Sequence, residues 1–178
     1  LGMDETRYNS DHLQGVANVA TGYAKADFKE LVPAPRMTWS NVGGAGGVYS
    51  SVHDLSKWVR VQLAGGVYAG KGEDAKRLFT DKRQGEMWSM LTPIPVAKPS
   101  IPELAPIKPN FTGYGEGWFL GDFRGTRMVW HTGGWPGMVS RITMLPDKGI
   151  GVIVLTNAES GAAFNAVTMR ALDAMLGV

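Results

Sequence analysis

The chain contains no cysteine, which excludes disulfides, thiolate zinc sites and cysteine nucleophiles together. Redox compartment is left open, because a cysteine-free chain is at home in any. Charge is sparse and balanced: 18 Lys and Arg against 16 Asp and Glu give a net +2, and charged residues make up 19% of the chain. An average soluble domain carries roughly 25%. Despite a pI near 8.9, so even a balance is no nucleic-acid footprint. Long apolar runs are missing too. The longest, Ile150–Leu155, is far short of the ~20 residues that a membrane helix needs. No secretory signal opens the chain, and its start, Leu1-Gly2-Met3, predicts a missing upstream part. What is plentiful is glycine, 24 of 178 residues, about twice the usual share of ~7%, alongside six tryptophans. That composition belongs to one globular domain with many tight turns.

The first forty residues show little periodicity, and Pro33 and Pro35 interrupt them, so they read as mostly loop with short pieces of structure. After the cluster Gly43-Gly44-Ala45-Gly46-Gly47, Ser51-Val52-His53-Asp54 has the S-x-x-D form of a capping box. Val52, Leu55, Val59 and Leu63 recur at helical spacing, and Gly65-Gly66 supplies a left-handed stop. The spacing predicts a helix from about Ser51 to Ala64 and a shorter one near Asp81–Leu91, with Met87 and Leu91 on one face. Six of the ten prolines lie between Thr92 and Asn110, a density that predicts a semi-rigid loop bordering something.

Strand patterning follows, in Gly115–Leu120, Arg127–Thr132, Met138–Leu145 and Ile150–Thr156. Turn chemistry separates them at Asp122-Phe123-Arg124-Gly125 and Pro146-Asp147-Lys148-Gly149. Met138, Ile142 and Met144 share one face, and the apolar run Ile150–Thr156 suits a buried central strand. Short connections predict antiparallel neighbours. Phe164, Val167, Ala171 and Met175 form one stripe of a terminal helix over Ala162–Leu176. The reading is therefore an antiparallel meander closed by a helix.

Candidate chemistry is scarce. His12, His53 and His131 match no metal-ligand spacing, so no metal and no cofactor is expected. His53 falls in the first turn of a helix, a surface position. Gly65–Gly72 nearly spells a phosphate loop, but Gly72 stands where Ser or Thr is needed and the stretch follows a helix. No G-x-S-x-G elbow is present. The informative stretch is Trp130-His131-Thr132-Gly133-Gly134-Trp135-Pro136-Gly137. A titratable side chain ends a strand there, followed by two glycines, a large aromatic and a Pro-Gly turn. Such glycines mark either a bulge or a place where a substrate lies against backbone N–H groups.

Five blocks, in order from end to end, resemble the serine β-lactamase-like family of class C β-lactamases, DD-peptidases, D-aminopeptidases and related esterases. Leu1-Gly2-Met3-Asp4-Glu5-Thr6 is similar to its PLGMKDT segment. Gly43–Leu63 resembles its GGxxST-x-x-DL-x-x-F block, and Gly113-Tyr114-Gly115-Glu116-Gly117-Trp118 its GYGLGW block. His131-Thr132-Gly133 stands where the family has K-T-G or H-x-G, and Val154-Leu155-Thr156-Asn157 matches its VLTN strand. The family's S-x-x-K and Y-x-N motifs precede the first block. Here no lysine has a serine three residues before it, and Tyr8-Asn9-Ser10 and Tyr49-Ser50-Ser51 fall in the wrong blocks.

The resemblance implies an α/β sandwich (α+β), with an antiparallel sheet flanked by helices, present here only as its C-terminal portion. Residues 1–112 would form the helical and loop portion, with the proline-rich loop at 92–110, and residues 113–178 the strands and last helix. It implies acyl transfer through a serine ester, on esters, β-lactams or D-amino-acid peptides, in the periplasm or outside the cell, with the cytoplasm left open as an alternative. His131 and Gly133 would line the cleft, with Thr132 beside them, and the Gly134 N–H would be an oxyanion donor. Trp135 would form a hydrophobic wall. The nucleophile would come from the absent N-terminal half, without which the chain is expected to be inactive and to expose an edge strand and an apolar patch. A histidine in place of lysine weakens carboxylate recognition, since its ordinary pKa is about 6.5, unless Arg141 reaches in. Two other readings stay open: an inactive member that binds peptidoglycan-like peptides, and an unrelated binding module.

Overall fold

The computed structural model describes every residue of the chain except Phe28 and Trp39. In chain order it begins with β1 (Arg7–Tyr8), β2 (Tyr23–Ala26) and β3 (Glu30–Pro33). One helical turn, α1 (Gly43–Gly46), and β4 (Val48–Tyr49) lead into α2 (Val52–Leu63). β5 (Val67–Ala69), β6 (Lys76–Arg77) and α3 (Asp81–Met87) come next. Then come β7 (Thr92–Ile94), β8 (Thr112–Tyr114), β9 (Phe119–Phe123), β10 (Thr126–Trp135), β11 (Met138–Leu145) and β12 (Ile150–Thr156). α4 (Gly161–Leu176) follows.

β7 to β12 make one antiparallel sheet in the order β12-β11-β10-β9-β8-β7, each strand beside its neighbour in sequence. The chain therefore has the mixed α/β fold and the meander with a closing helix that its patterning predicts. Contacts divide it into two compact units. One comprises Leu1–Lys57, Thr132–Arg141 and Ile153–Val178, the other Trp58–His131 and Ile142–Val152.

In the second unit, the buried apolar residues include Val59, Val61, Leu120, Phe123, Met128, Val129, Met144 and Leu145. Met144 and Leu145 are adjacent on β11 and both fully buried, so this end of the strand is covered on both faces. Full burial of such a side chain contributes about 1.5–3 kcal/mol. In the first unit, Phe164, Thr168 and Leu172 form the buried stripe of α4. Ser51 caps α2 as predicted, its Oγ accepting from the Asp54 N–H at 3.2 Å. Gly65 and Gly66 end that helix with φ of 63° and 90°.

Several sequence expectations need correction. The buried stripe of α4 is not the predicted one, because Val167 and Met175 are 55% and 56% exposed. α3 stops at Met87, and Leu91 instead bonds to the Tyr114 carbonyl at the start of the sheet. Residues Gly115–Trp118 are a turn, closed by the Gly115 N–H on the Trp118 carbonyl at 2.8 Å, with strands on either side. Asp122 and Phe123, assigned to a turn, are buried strand residues, and the turn narrows to Arg124-Gly125 with φ of 50° and 76°. The proline-rich stretch does contain a strand, β7, at the sheet edge where Pro93 is tolerated. β12 is an edge strand too, only half-buried, with Leu155 exposed. A continuous apolar run does not by itself distinguish an edge from a centre.

Candidate active site

β10 takes in the predicted Arg127–Thr132 stretch and runs on through both glycines to Trp135. The candidate residues therefore belong to one ten-residue strand. The boundary between the two units falls after His131.

His131 is half-buried and contacts aromatic residues of β9 and, beyond it, β8. The registers Tyr114↔Phe119 and Phe119↔Trp130 place aromatic residues opposite one another across β8, β9 and β10. Tyr114 meets Phe119 edge-on at 4.7 Å, and Phe119 stacks on Trp130 at 5.5 Å. The imidazole sits 5.6 Å from the Phe119 ring, and its Nε2 lies 2.9 Å from the Tyr114 hydroxyl. Tyr114 comes from the Gly113–Trp118 block, so that block carries a group to His131.

In the first unit, Thr132 is half-buried while Gly133 and Gly134 are exposed. A Cβ on Gly134 would meet nothing within 4 Å, so its backbone is open to an approaching molecule. Trp135 meets the Tyr49 ring edge-on at 5.7 Å and, with Tyr49, Arg7, Arg36, Pro136 and Met138, lines a cavity of about 310 Å³. Thr132, Gly133, Gly134 and residues 92–110 add nothing to that lining. The Tyr49 hydroxyl is buried and has no protein partner among the described residues. Burial pushes its pKa up, and the Arg36 charge offsets part of that rise. The hairpin tip after Trp135 is anchored, since the Gly137 N–H donates to Glu159 at 2.8 Å and its carbonyl accepts from the Tyr23 N–H at 3.0 Å.

Arg141 does not play the part of a substrate carboxylate partner. Its side chain is 6% exposed and donates to the Asn165 side chain on α4, and burial lowers its pKa to about 10.

Sequence spacing also missed a polar cluster. Glu5, His53 and Asp54 bring ligand-type atoms within 4.8 Å of one another, across 49 positions of sequence. A cation already serves it: Lys57 Nζ lies 3.0 Å from Asp54 Oδ1. The other Asp54 oxygen accepts from the Glu5 N–H at 2.8 Å and the Thr6 hydroxyl at 2.9 Å. Burial alone would raise the Asp54 pKa, but the bonds from Lys57, Thr6 and Glu5 outweigh it and hold the carboxyl below its ordinary value. The cluster fastens the Leu1–Thr6 block to the Gly43–Leu63 block.

A family model described as Beta-lactamase matches residues 1–175. Two curated relatives are each 26% identical over the whole of this chain: unguisins hydrolase ungD′ of Aspergillus campestris and unguisins hydrolase ungD of Aspergillus violaceofuscus. The chain spans 31% and 32% of their lengths, about a third. Among solved structures, the octameric penicillin-binding protein homologue from Pyrococcus abyssi is 25% identical, with a TM-score of 0.75. That alignment covers 99% of this chain and 35% of the other. With the motif blocks, the meander and this match in agreement, the chain belongs to the beta-lactamase family.

Proposed function

We propose that the chain is the C-terminal part of one β-lactamase-like domain, in a serine hydrolase that works through an acyl-enzyme. In this reading it supplies one wall of the site and not the nucleophile. The observation that carries the reading is the family match over residues 1–175, in a sequence where no lysine has a serine three positions before it. The names of the two fungal relatives, both hydrolases, support hydrolysis as the reaction class.

The serine oxygen, supplied by the part of the protein outside this chain, attacks an acyl carbonyl and expels the leaving group. Water then cleaves the ester so formed. The Gly134 N–H donates to the oxyanion, and removing such a donor typically costs about 10²–10³ in turnover. His131 offers a ring N–H to the substrate, Thr132 and Gly133 form the extended edge along which it lies, and Trp135 bounds the acyl side. Substrates are esters, β-lactams or D-amino-acid peptides, met in the periplasm or outside the cell. Histidine lacks the fixed charge of the lysine in K-T-G, so carboxylate-bearing β-lactams should be poorer substrates than neutral esters.

The test compares turnover of a short-chain aryl ester and a chromogenic cephalosporin by the full-length protein. Ester hydrolysis that falls in His131→Ala is expected. A cephalosporin preference above about a hundredfold, more than one pocket contact provides, contradicts the reading.

A further inference from the structure

We infer that Tyr114 is the positioning residue for His131: its hydroxyl donates to Nε2 and so places the imidazole proton on Nδ1, leaving Nδ1 as the ring's only N–H donor. This rests on the acyl-transfer reading for its meaning in catalysis, but not for its chemistry. The Tyr114 oxygen and His131 Nε2 are 2.9 Å apart, within hydrogen-bond range. A phenolic O–H is a stronger acid than the N–H of neutral imidazole, and an imidazole nitrogen is a stronger base than a phenol oxygen. The neutral pair therefore settles with tyrosine as donor, and the second nitrogen must carry the proton.

The hydroxyl is also held in place. Tyr114 is directly opposite Phe119 in the β8–β9 register, and its ring meets Phe119 edge-on at 4.7 Å, 73° between planes. Phe119 in turn stacks on Trp130, beside His131 in the strand. The donor is thus preorganised by packing, and little conformational freedom remains to be lost when substrate arrives. The consequence is a specificity rule. In its neutral form, a ring fixed as an Nδ1–H donor selects neutral acceptors, such as ester and amide carbonyls, and gives a carboxylate no ion pair.

The experiment uses the full-length protein with isotope-labelled histidine, reading ring-nitrogen correlations at a pH where the ring is neutral. The His131 signals are those lost in His131→Gln. A protonated Nδ1 and bare Nε2 are expected, with Tyr114→Phe moving the population toward Nε2–H. The same variant keeps the ring and its packing, so the melting temperature should hold while kcat/KM on the aryl ester falls about fivefold, the worth of one neutral hydrogen bond. A protonated Nε2 in the unmodified protein, or a tautomer unmoved by Tyr114→Phe, overturns the inference. A tautomer that moves while kcat/KM does not overturns the positioning role and leaves acyl transfer standing. An unmodified protein inactive on every ester and β-lactam, but with the expected tautomer shift, instead sinks the acyl-transfer reading alone. If Tyr114→Phe fails to fold, the spectrum of the unmodified protein decides by itself.

Discussion

Replacing Gly137 by alanine should loosen the hairpin tip that follows Trp135, by an amount that a second glycine calibrates. Gly137 has φ of +79°, and a Cβ there would come within 2.6 Å of Gly22 backbone carbon and 2.7 Å of the Tyr23 nitrogen. Gly125 has nearly the same φ, +76°, but a Cβ there meets nothing within 4 Å. Both substitutions carry the left-handed cost of roughly 1 kcal/mol. Only Gly137→Ala adds overlap with backbone, for which overpacking series give about 1–3 kcal/mol. The expected losses are thus about 2–4 kcal/mol at Gly137 and about 1 kcal/mol at Gly125. Amide exchange of Tyr23, whose N–H bonds to the Gly137 and Asn157 carbonyls at 3.0 and 2.9 Å, reads the effect locally in the full-length protein. Exchange should quicken about 30- to 700-fold in Gly137→Ala, at one decade per 1.4 kcal/mol. Equal protection of Tyr23 in Gly137→Ala and the unmodified protein would refute the claim that this close approach holds the tip.

Asp122 accepts from the Asn110 N–H at 2.6 Å, the Asn110 side-chain amide at 2.7 Å and the Gly125 N–H at 3.1 Å, so it clamps the start of β8 to the β9–β10 turn. Asp122→Asn should cost about as much as Asp122→Ala, roughly 3–5 kcal/mol in urea unfolding, because its new amide N–H group would face donors; a near-neutral asparagine would show that shape alone matters. Asp54 should set an acid limit for the N-terminal block. Its folded pKa lies below the ordinary 3.8, so the stability it contributes is complete above that value and is lost as pH falls through the folded value. Protection of the Glu5 amide should drop over that acid range, and Asp54→Asn should flatten the dependence; an unchanged acid profile in Asp54→Asn contradicts the assignment.

Much of the fold was legible because its signals are local. Ser51 and Gly65-Gly66 bracket α2, and Met138–Leu145 and Ile150–Thr156 appear as strands with the bounds predicted for them. What failed depended on pairing and packing partners that composition and periodicity do not name. Val167 and Met175 fit the helical stripe as well as Thr168 does, and only the surface beneath α4 decides which is buried. Gly115–Trp118 has strand-like composition, but the pairing of Tyr114 with Phe119 makes it a turn. β12 has the apolar run of a central strand yet lies at an edge of the sheet. At the site, the motif marked His131, but nothing in its spacing pointed to Tyr114, which arrives from another block through the register of three strands. The Glu5–His53–Asp54 cluster was invisible for the same reason, and Arg141 reads as exposed charge until α4 covers it.

The central claim, that this chain walls the site while the nucleophile lies elsewhere in the protein, is tested most directly by active-site labelling. The full-length protein is treated with a fluorophosphonate, digested, and the modified serine located by mass spectrometry. The predicted adduct is on a serine of an S-x-x-K sequence outside residues 1–178, and the isolated chain should show neither label nor turnover, since loss of a serine nucleophile alone costs on the order of 10⁶ in rate. An adduct on a serine within this chain, such as Ser50 or Ser51, would contradict the account.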